Sequence, residues 1–130
     1  MSELTYADAS TLVKLVLAEP ESPALHRRFV EAERVATSRV GVVETVRACS
    51  RRGDDPAHRD RVLERIDVFE LDASIAGMAS TLAPPGLRTL DAIHLATALA
   101  LLPDLDAFLT YDDRLADAAR SIGLPVVRPA

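Results

Sequence analysis

Four acidic side chains stand where surface solvation alone is a poor explanation for a carboxylate. Asp8 closes the short alternating run Leu4-Thr-Tyr-Ala-Asp8, and Asp112, with Asp113 beside it, follows the apolar run Ala107-Phe-Leu-Thr-Tyr111. Glu44 sits in Val42-Val-Glu-Thr-Val46, and Asp91 in Leu90-Asp-Ala-Ile-His-Leu-Ala-Thr-Ala98, the most apolar helix-forming stretch of the chain. Each has a plain role open to it. Asp8 and either Asp112 or Asp113 can cap a helix, Asp91 can lie in a first turn where the helix dipole favours an anion, and Glu44 can pair with Arg47 at i+3. If the four meet, they cannot all remain ionised unaided. Two carboxylates about 4 Å apart repel by roughly 4 kcal/mol at an effective dielectric near 20. Such a cluster takes up protons or a divalent cation. Oxygen ligands with few histidines select Mg²⁺ or Mn²⁺ over zinc. That ion suits phosphodiester hydrolysis, since it acidifies a water and neutralises charge on the phosphate oxygens. His94 lies one turn after Asp91, but imidazole is not needed for Mg²⁺. It is read as packing or hydrogen bonding near the site.

The elements that must position these groups follow from pattern. Short apolar or alternating runs at 4–8, 35–38, 68–71, 107–111 and 126–127 read as strands. Between them, helical spacing predicts a helix through Leu12–Leu17 that ends at Pro20, one over 22–33, and one from an N-cap at Ser38 to Arg52, stopped by Gly53. Further helices are expected over 56–67, after Asp72 as far as Pro84, over Leu90–Leu102, and over Arg114–Ile122. Strand and helix alternate with short links and no repeat or low-complexity stretch. The pattern predicts a single α/β domain over 1–130, with a central, mostly parallel sheet flanked by helices on both faces. In such a sheet ligands bind at the carboxyl ends of strands, beside a topological switch point, and there Asp8 and Asp112 fall.

Composition excludes several classes. At 130 residues the chain is too short for two ordinary domains, and 48 % hydrophobic against 27 % charged residues excludes wholesale disorder. One cysteine, Cys49, excludes a disulfide scaffold or a Cys-rich zinc site and fits a reducing cytoplasm. The N-terminal residues carry no basic or apolar leader pattern, and no stretch is long and apolar enough to span a membrane, so a cytoplasmic location is expected. The net charge is −5, but residues 26–65 hold ten arginines against seven acids while the remainder is acidic. A basic segment beside an acidic site is compatible with a polyanionic substrate. Lys14 and the Arg47, Arg51, Arg52 face are candidate phosphate contacts, and equally a solvated helix face. Arg114 has two readings open, an ion pair with a neighbouring carboxylate or a contact to a polyanionic substrate. With five aromatic residues and no Trp, a base-stacking platform is not expected.

The sequence resembles the PIN-domain ribonucleases and, within them, the VapC-type toxins of bacterial toxin–antitoxin pairs. The matching pieces are Tyr6-Ala-Asp8-Ala-Ser10 with Leu12-Val-Lys-Leu15, Thr37-Ser38 leading into Val43-Glu44-Thr-Val-Arg47-Ala48, Leu90-Asp91-Ala-Ile-His-Leu-Ala-Thr-Ala98, and Thr110-Tyr-Asp112-Asp-Arg-Leu115. They cover essentially the whole chain in the family's order. The resemblance implies a PIN-like fold in which Asp8, Glu44, Asp91 and Asp112 form the acidic catalytic site. Asp8, Asp91 and Asp112 would be metal ligands, with Glu44 binding directly or through water and helping to deprotonate the attacking water. Ser10, Thr110 and Asp113 are implied as supporting groups, and Lys14, Arg47, Arg51 and Arg114 as candidate RNA contacts. It further implies an Mg²⁺- or Mn²⁺-dependent endoribonuclease acting on RNA, a homodimer, and a small antitoxin that fills the active-site groove. The alternatives are a non-catalytic RNA- or protein-binding module that keeps the fold, and a phosphoacceptor receiver-like domain. The second expects a lysine late in the chain, whereas Lys14 is the one lysine present.

Overall fold

In Leu4–Ala7 (β1), successive side chains point to opposite faces of a sheet, and all four residues are buried. Leu4 and Tyr6 enter one core with Phe108, while Ala7 enters the other with Leu109. A strand buried on both faces belongs in the middle of a parallel sheet. The computed structural model, which describes residues 3–130, puts it there; the first two residues of the N-terminal stretch lie outside the description.

Along the chain β1 is followed by α1 (Ala9–Val16), α2 (Ser22–Glu31), β2 (Arg34–Ser38), α3 (Arg39–Arg51) and α4 (Pro56–Leu63). Then come β3 (Asp67–Phe69), α5 (Ala73–Thr81), α6 (Thr89–Ala100), β4 (Leu105–Leu109), α7 (Asp113–Ser121) and β5 (Val126–Val127). The strands pair in the order β3-β2-β1-β4-β5, every pair parallel. The sheet runs outward from β1 in both directions, so the switch point lies between β1 and β4. That crevice is where an open α/β sheet binds its ligand.

Each face of the sheet has its own core. On one, Leu95 and Ala98 of α6 and Leu115 and Ala119 of α7 close over Tyr6 and Phe108. The two rings stack with centroids 5.2 Å apart. On the other, Leu12 and Leu15 of α1 and Leu25 of α2 cover Val35, Ala107 and Leu109. Leu12, Leu25 and Leu109 are fully buried, which stabilises the fold by about 1.5–3 kcal/mol apiece relative to exposure.

Capping sets the helix ends. Asp8, Ser38, Asp55, Asp72 and Asp112 each accept a backbone N–H in the first turn of the following helix. After α3, Gly53 adopts φ +71°, and the N–H groups of Gly53 and Asp54 return to the carbonyls of Ser50 and Cys49. This left-handed stop is open to glycine at little steric cost.

Several boundaries differ from the sequence expectation, most of all those of α4 and β4. The helix expected over 56–67 ends at Leu63, because Arg65 and Ile66 turn back onto Val62 and Leu63 and deliver the chain to β3 at Asp67 rather than Val68. The strand expected over 107–111 spans 105–109. Its start is hidden in the sequence by Asp106, whose carboxylate accepts the Leu4 N–H at 2.8 Å where the β1–β4 register shifts. Its end comes early because Thr110 and Tyr111 leave the ladder and turn toward Ser10 and Asp8.

Candidate active site at the β1–β4 crevice

Asp8 is the innermost of the acids, 3 % exposed. As the N-cap of α1 it accepts the Thr11 N–H at 3.0 Å. Ser10 Oγ donates to its carboxylate at 2.7 and 2.9 Å, and Thr110 Oγ1 donates to Oδ2 at 2.6 Å. The same two hydroxyls accept from the end of β4: Tyr111 N–H donates to Ser10 Oγ at 2.8 Å, and Asp112 N–H to Thr110 Oγ1 at 3.1 Å. Ser10 and Thr110 thereby tie the two strand ends together. Burial pushes the Asp8 pKa upward against the opposing hydrogen bonds from Thr110, Ser10 and the Thr11 amide.

Asp112 caps α7 through the Leu115 N–H at 3.1 Å. Asp91 sits in the first turn of α6, as the dipole argument allows, and is buried. Arg88, at the start of α6, joins them. Its Nε donates to Asp91 Oδ2 at 2.7 Å and its Nη2 to Asp112 Oδ2 at 2.9 Å. Burial tends to raise the Asp112 pKa, but the Leu115 amide and Arg88 together carry it below the usual carboxylate value.

Glu44, half-exposed on α3, does not take Arg47, the partner its own helix offers. Its Oε1 meets His94 Nε2 at 2.7 Å. His94 is 2 % exposed, its Nδ1 lies 2.6 Å from the Tyr6 hydroxyl, and that hydroxyl accepts the Ser38 N–H at 3.2 Å. Burial first, then the charge of Asp8, drive the Tyr6 pKa far upward, so the phenol keeps its proton.

The four acids therefore divide into two linked sets. Asp8, Asp91 and Asp112 are connected through Thr110 and Arg88, and Glu44 stands opposite on α3, held by a histidine of the helix that carries Asp91. Among the described residues no three acidic, histidine or cysteine side chains already converge as a metal cage. Arg88 is the physical reason at Asp91 and Asp112, since its guanidinium stands between them.

Glu44 borders a groove of about 720 Å³ that also takes in Ser10, Lys14, Arg47, Arg51 and Tyr111. Lys14 is bonded to Glu19 at 2.6 Å and Glu21 at 2.9 Å, and its ammonium lies 4.9 Å from the Tyr111 ring centroid. Arg114 lines a separate hollow with Arg88 and Asp91. Asp113 is exposed and paired with Arg128 at 2.6 Å. Sequence reasoning passed over two residues here. Arg88 had a signal in its i,i+3 spacing to Asp91; Tyr6 had none, since only the fold brings it to His94.

A family model for the PIN domain matches residues 5–121. The chain belongs to the PIN-domain family. It is 40 % identical over 126 residues to ribonuclease VapC46 of Mycobacterium tuberculosis, covering 96 % of this chain and 97 % of that protein. Among solved structures, it superposes on the crystal structure of Mycobacterium tuberculosis VapC20, a sarcin-ricin loop cleaving toxin, with a TM-score of 0.74 at 17 % identity, over 96 % of this chain and 99 % of that one. A toxin–antitoxin complex from Klebsiella pneumoniae gives a TM-score of 0.72 at 22 % identity, covering 99 % and 98 % of the two chains. At these identities the structural matches establish the PIN fold, and the sequence relative carries the ribonuclease kinship.

Proposed function

We propose that this chain is a metal-dependent endoribonuclease, the toxin of a toxin–antitoxin pair, working as a single domain over 1–130. Asp8, Glu44, Asp91 and Asp112 are its catalytic acids, and Asp8, Asp91 and Asp112 its metal ligands. The observation that carries the reading is the link between Asp8, Asp112 and Asp91 through Thr110 and Arg88, at the switch point of a PIN fold and next to a groove bearing Arg47 and Arg51.

The residues fit a hard divalent cation, for which we take Mg²⁺ or Mn²⁺. The donors are all carboxylate oxygens, and Asp91 and Asp112 already require a positive group between them, the place Arg88 takes. When bound, the cation acidifies the attacking water and offsets charge building on the scissile phosphate. Ser10 and Thr110 fix the orientation of Asp8, as hydrogen-bonded outer partners of metal-binding carboxylates do. Glu44 keeps one carboxylate oxygen free of protein hydrogen bonds among the described residues, and this oxygen takes the proton of the attacking water. Arg47 and Arg51 draw the RNA backbone into the groove, with Lys14 on its wall, and Arg114 is available to it from the separate hollow beside Arg88 and Asp91. Ser10 and Thr110 thus serve as supporting groups, whereas Asp113 is engaged by Arg128.

Among the described residues no helix is long and apolar enough to cross a membrane. We place the protein in the cytoplasm as a homodimer whose groove is covered by a small antitoxin when silent. The Klebsiella pneumoniae toxin–antitoxin complex supports the antitoxin as partner. The test is incubation of the purified protein with a mixed RNA pool in Mg²⁺, in Mn²⁺ and in EDTA, beside D8N. Discrete products that require both metal and Asp8 support the reading. RNA bound without metal-dependent products overturns it in favour of a binding module.

A further inference from the structure

His94 is a buried imidazole with both ring nitrogens engaged, and hydrogen-bond accounting assigns its protons. Glu44, as a carboxylate, can only accept, so the proton of the 2.7 Å contact resides on His94 Nε2. The Tyr6 oxygen already accepts the Ser38 N–H. Its own proton needs an acceptor, and His94 Nδ1 stands 2.6 Å away. The neighbouring Thr37 hydroxyl is buried and finds no partner in hydrogen-bond geometry among the described residues. Were Nδ1 protonated as well, the buried phenol proton would be stranded, at a cost of about 1–3 kcal/mol. The donors therefore run in one direction: Ser38 N–H to Tyr6, Tyr6 O–H to His94 Nδ1, His94 Nε2–H to Glu44.

The surroundings are cut to hold this line. Tyr6 is wedged edge-on against His94, with centroids 5.8 Å apart, and stacked on Phe108 behind. Gly41, one turn before Glu44 on α3, lies so close that an added Cβ would collide with the Thr37 hydroxyl and approach His94 Cε1 to 3.1 Å. A side chain at position 41 would displace the Thr37 hydroxyl and press on the edge of the imidazole.

We propose that His94 and Tyr6 are positioning residues for Glu44. By fixing the tautomer of His94 and with it the Glu44 Oε1, they aim the other carboxylate oxygen at the groove, although neither residue touches RNA. This rests on the ribonuclease reading for its kinetic consequence, and its structural half stands apart from that reading.

The experiment joins two readouts on the full chain. Long-range ¹H–¹⁵N spectra of the three histidines at neutral pH report the His94 tautomer. Single-oligonucleotide kinetics with Mg²⁺ report kcat and KM for the wild type, Y6F, H94L and H94Q, each checked for fold by circular dichroism. His94 should be neutral with its proton on Nε2 in the wild type, and that preference should weaken in Y6F. H94L should lose about 10–100-fold in kcat, the range for outer partners of catalytic groups, with KM within about twofold. H94Q, whose amide N–H reaches toward the Nε2 position, should recover much of the loss, which a merely space-filling role would not produce. A wild-type His94 protonated on Nδ1 with Nε2 bare, or a folded H94L that cuts at the wild-type kcat, overturns the proposal. A wild type that cuts no RNA overturns the nuclease reading instead, and the tautomer still decides whether His94 holds Glu44.

Discussion

Asp8 and Asp112 end neighbouring strands and cap the helices that follow, yet their charges are treated in opposite ways. Asp8 is sealed beneath Ser10 and Thr110 and makes no ion pair among the described residues, and burial raises its pKa. Asp112 stands at the rim, where the Leu115 amide and Arg88 outweigh its partial burial and lower its pKa. The same backbone position thus gives one acid short of positive charge and one supplied with it by the protein. A divalent cation would answer the first and compete with Arg88 at the second. N-capping does not exclude the metal-binding role proposed above: capping fixes where each carboxylate stands.

The largest expected effect comes from removing either carboxylate charge. D8N, D91N and D112N should each lower RNA cleavage by more than about a hundredfold, beyond the 10–100-fold typical of losing an outer partner. Equal activity in D112N and the wild type, measured on the same oligonucleotide, would show that Asp8 works without it and break the pairing. Next comes T110V, which strips Asp8 of its shortest hydrogen bond and Asp112 of its backbone acceptor at once. It should cost about 10–100-fold in rate, and chemical unfolding should show about 1–3 kcal/mol less stability.

The contrast in pKa gives opposite signs in pH-dependent stability. With its folded value above the unfolded 3.8, Asp8 binds more protons in the native state, so its contribution falls as pH rises from 3.8 through the raised value. D8N should therefore be more stable than the wild type above that window, the gap closing as pH drops toward 3.8. Asp112, with its folded value below 3.8, stabilises the fold above that pH and loses the contribution as pH falls through the lowered value. D112N should be less stable than the wild type near neutrality, and the two should converge below 3.8. Unfolding curves across about pH 3–7 that show the same sign for both variants would contradict the contrast. The smallest effect is that of R88A in metal-free buffer. The pair with half-exposed Arg88 is worth about 1 kcal/mol or less, and added Mg²⁺ should make up the loss in a thermal melt.

Much of this was legible in the sequence, because local chemistry writes strand ends and caps directly. Asp8, Ser38, Asp72 and Asp112 cap helices as their positions suggest, and Gly53 stops α3 as expected. Legibility failed where a tertiary partner sets the geometry. Asp106 looks like a loop residue until its carboxylate is seen filling the register shift against Leu4. Glu44 has Arg47 within reach on its own helix, but a desolvated imidazole from α6 holds it instead. The role of Tyr6 depends on α6 bringing His94 to it, which no local pattern shows. Arg88 has its Asp91 partner at i+3, and only its bond to Asp112 needs the fold.

The most direct test of the central claim, that Asp8, Asp91 and Asp112 gather around one cation, is anomalous diffraction from crystals of the protein grown with Mn²⁺. The account predicts an anomalous peak in contact with all three carboxylates, with the Arg88 guanidinium displaced from between Asp91 and Asp112. Mn²⁺ bound elsewhere, with Arg88 still spanning the two acids in protein that cleaves RNA under the same conditions, would contradict it.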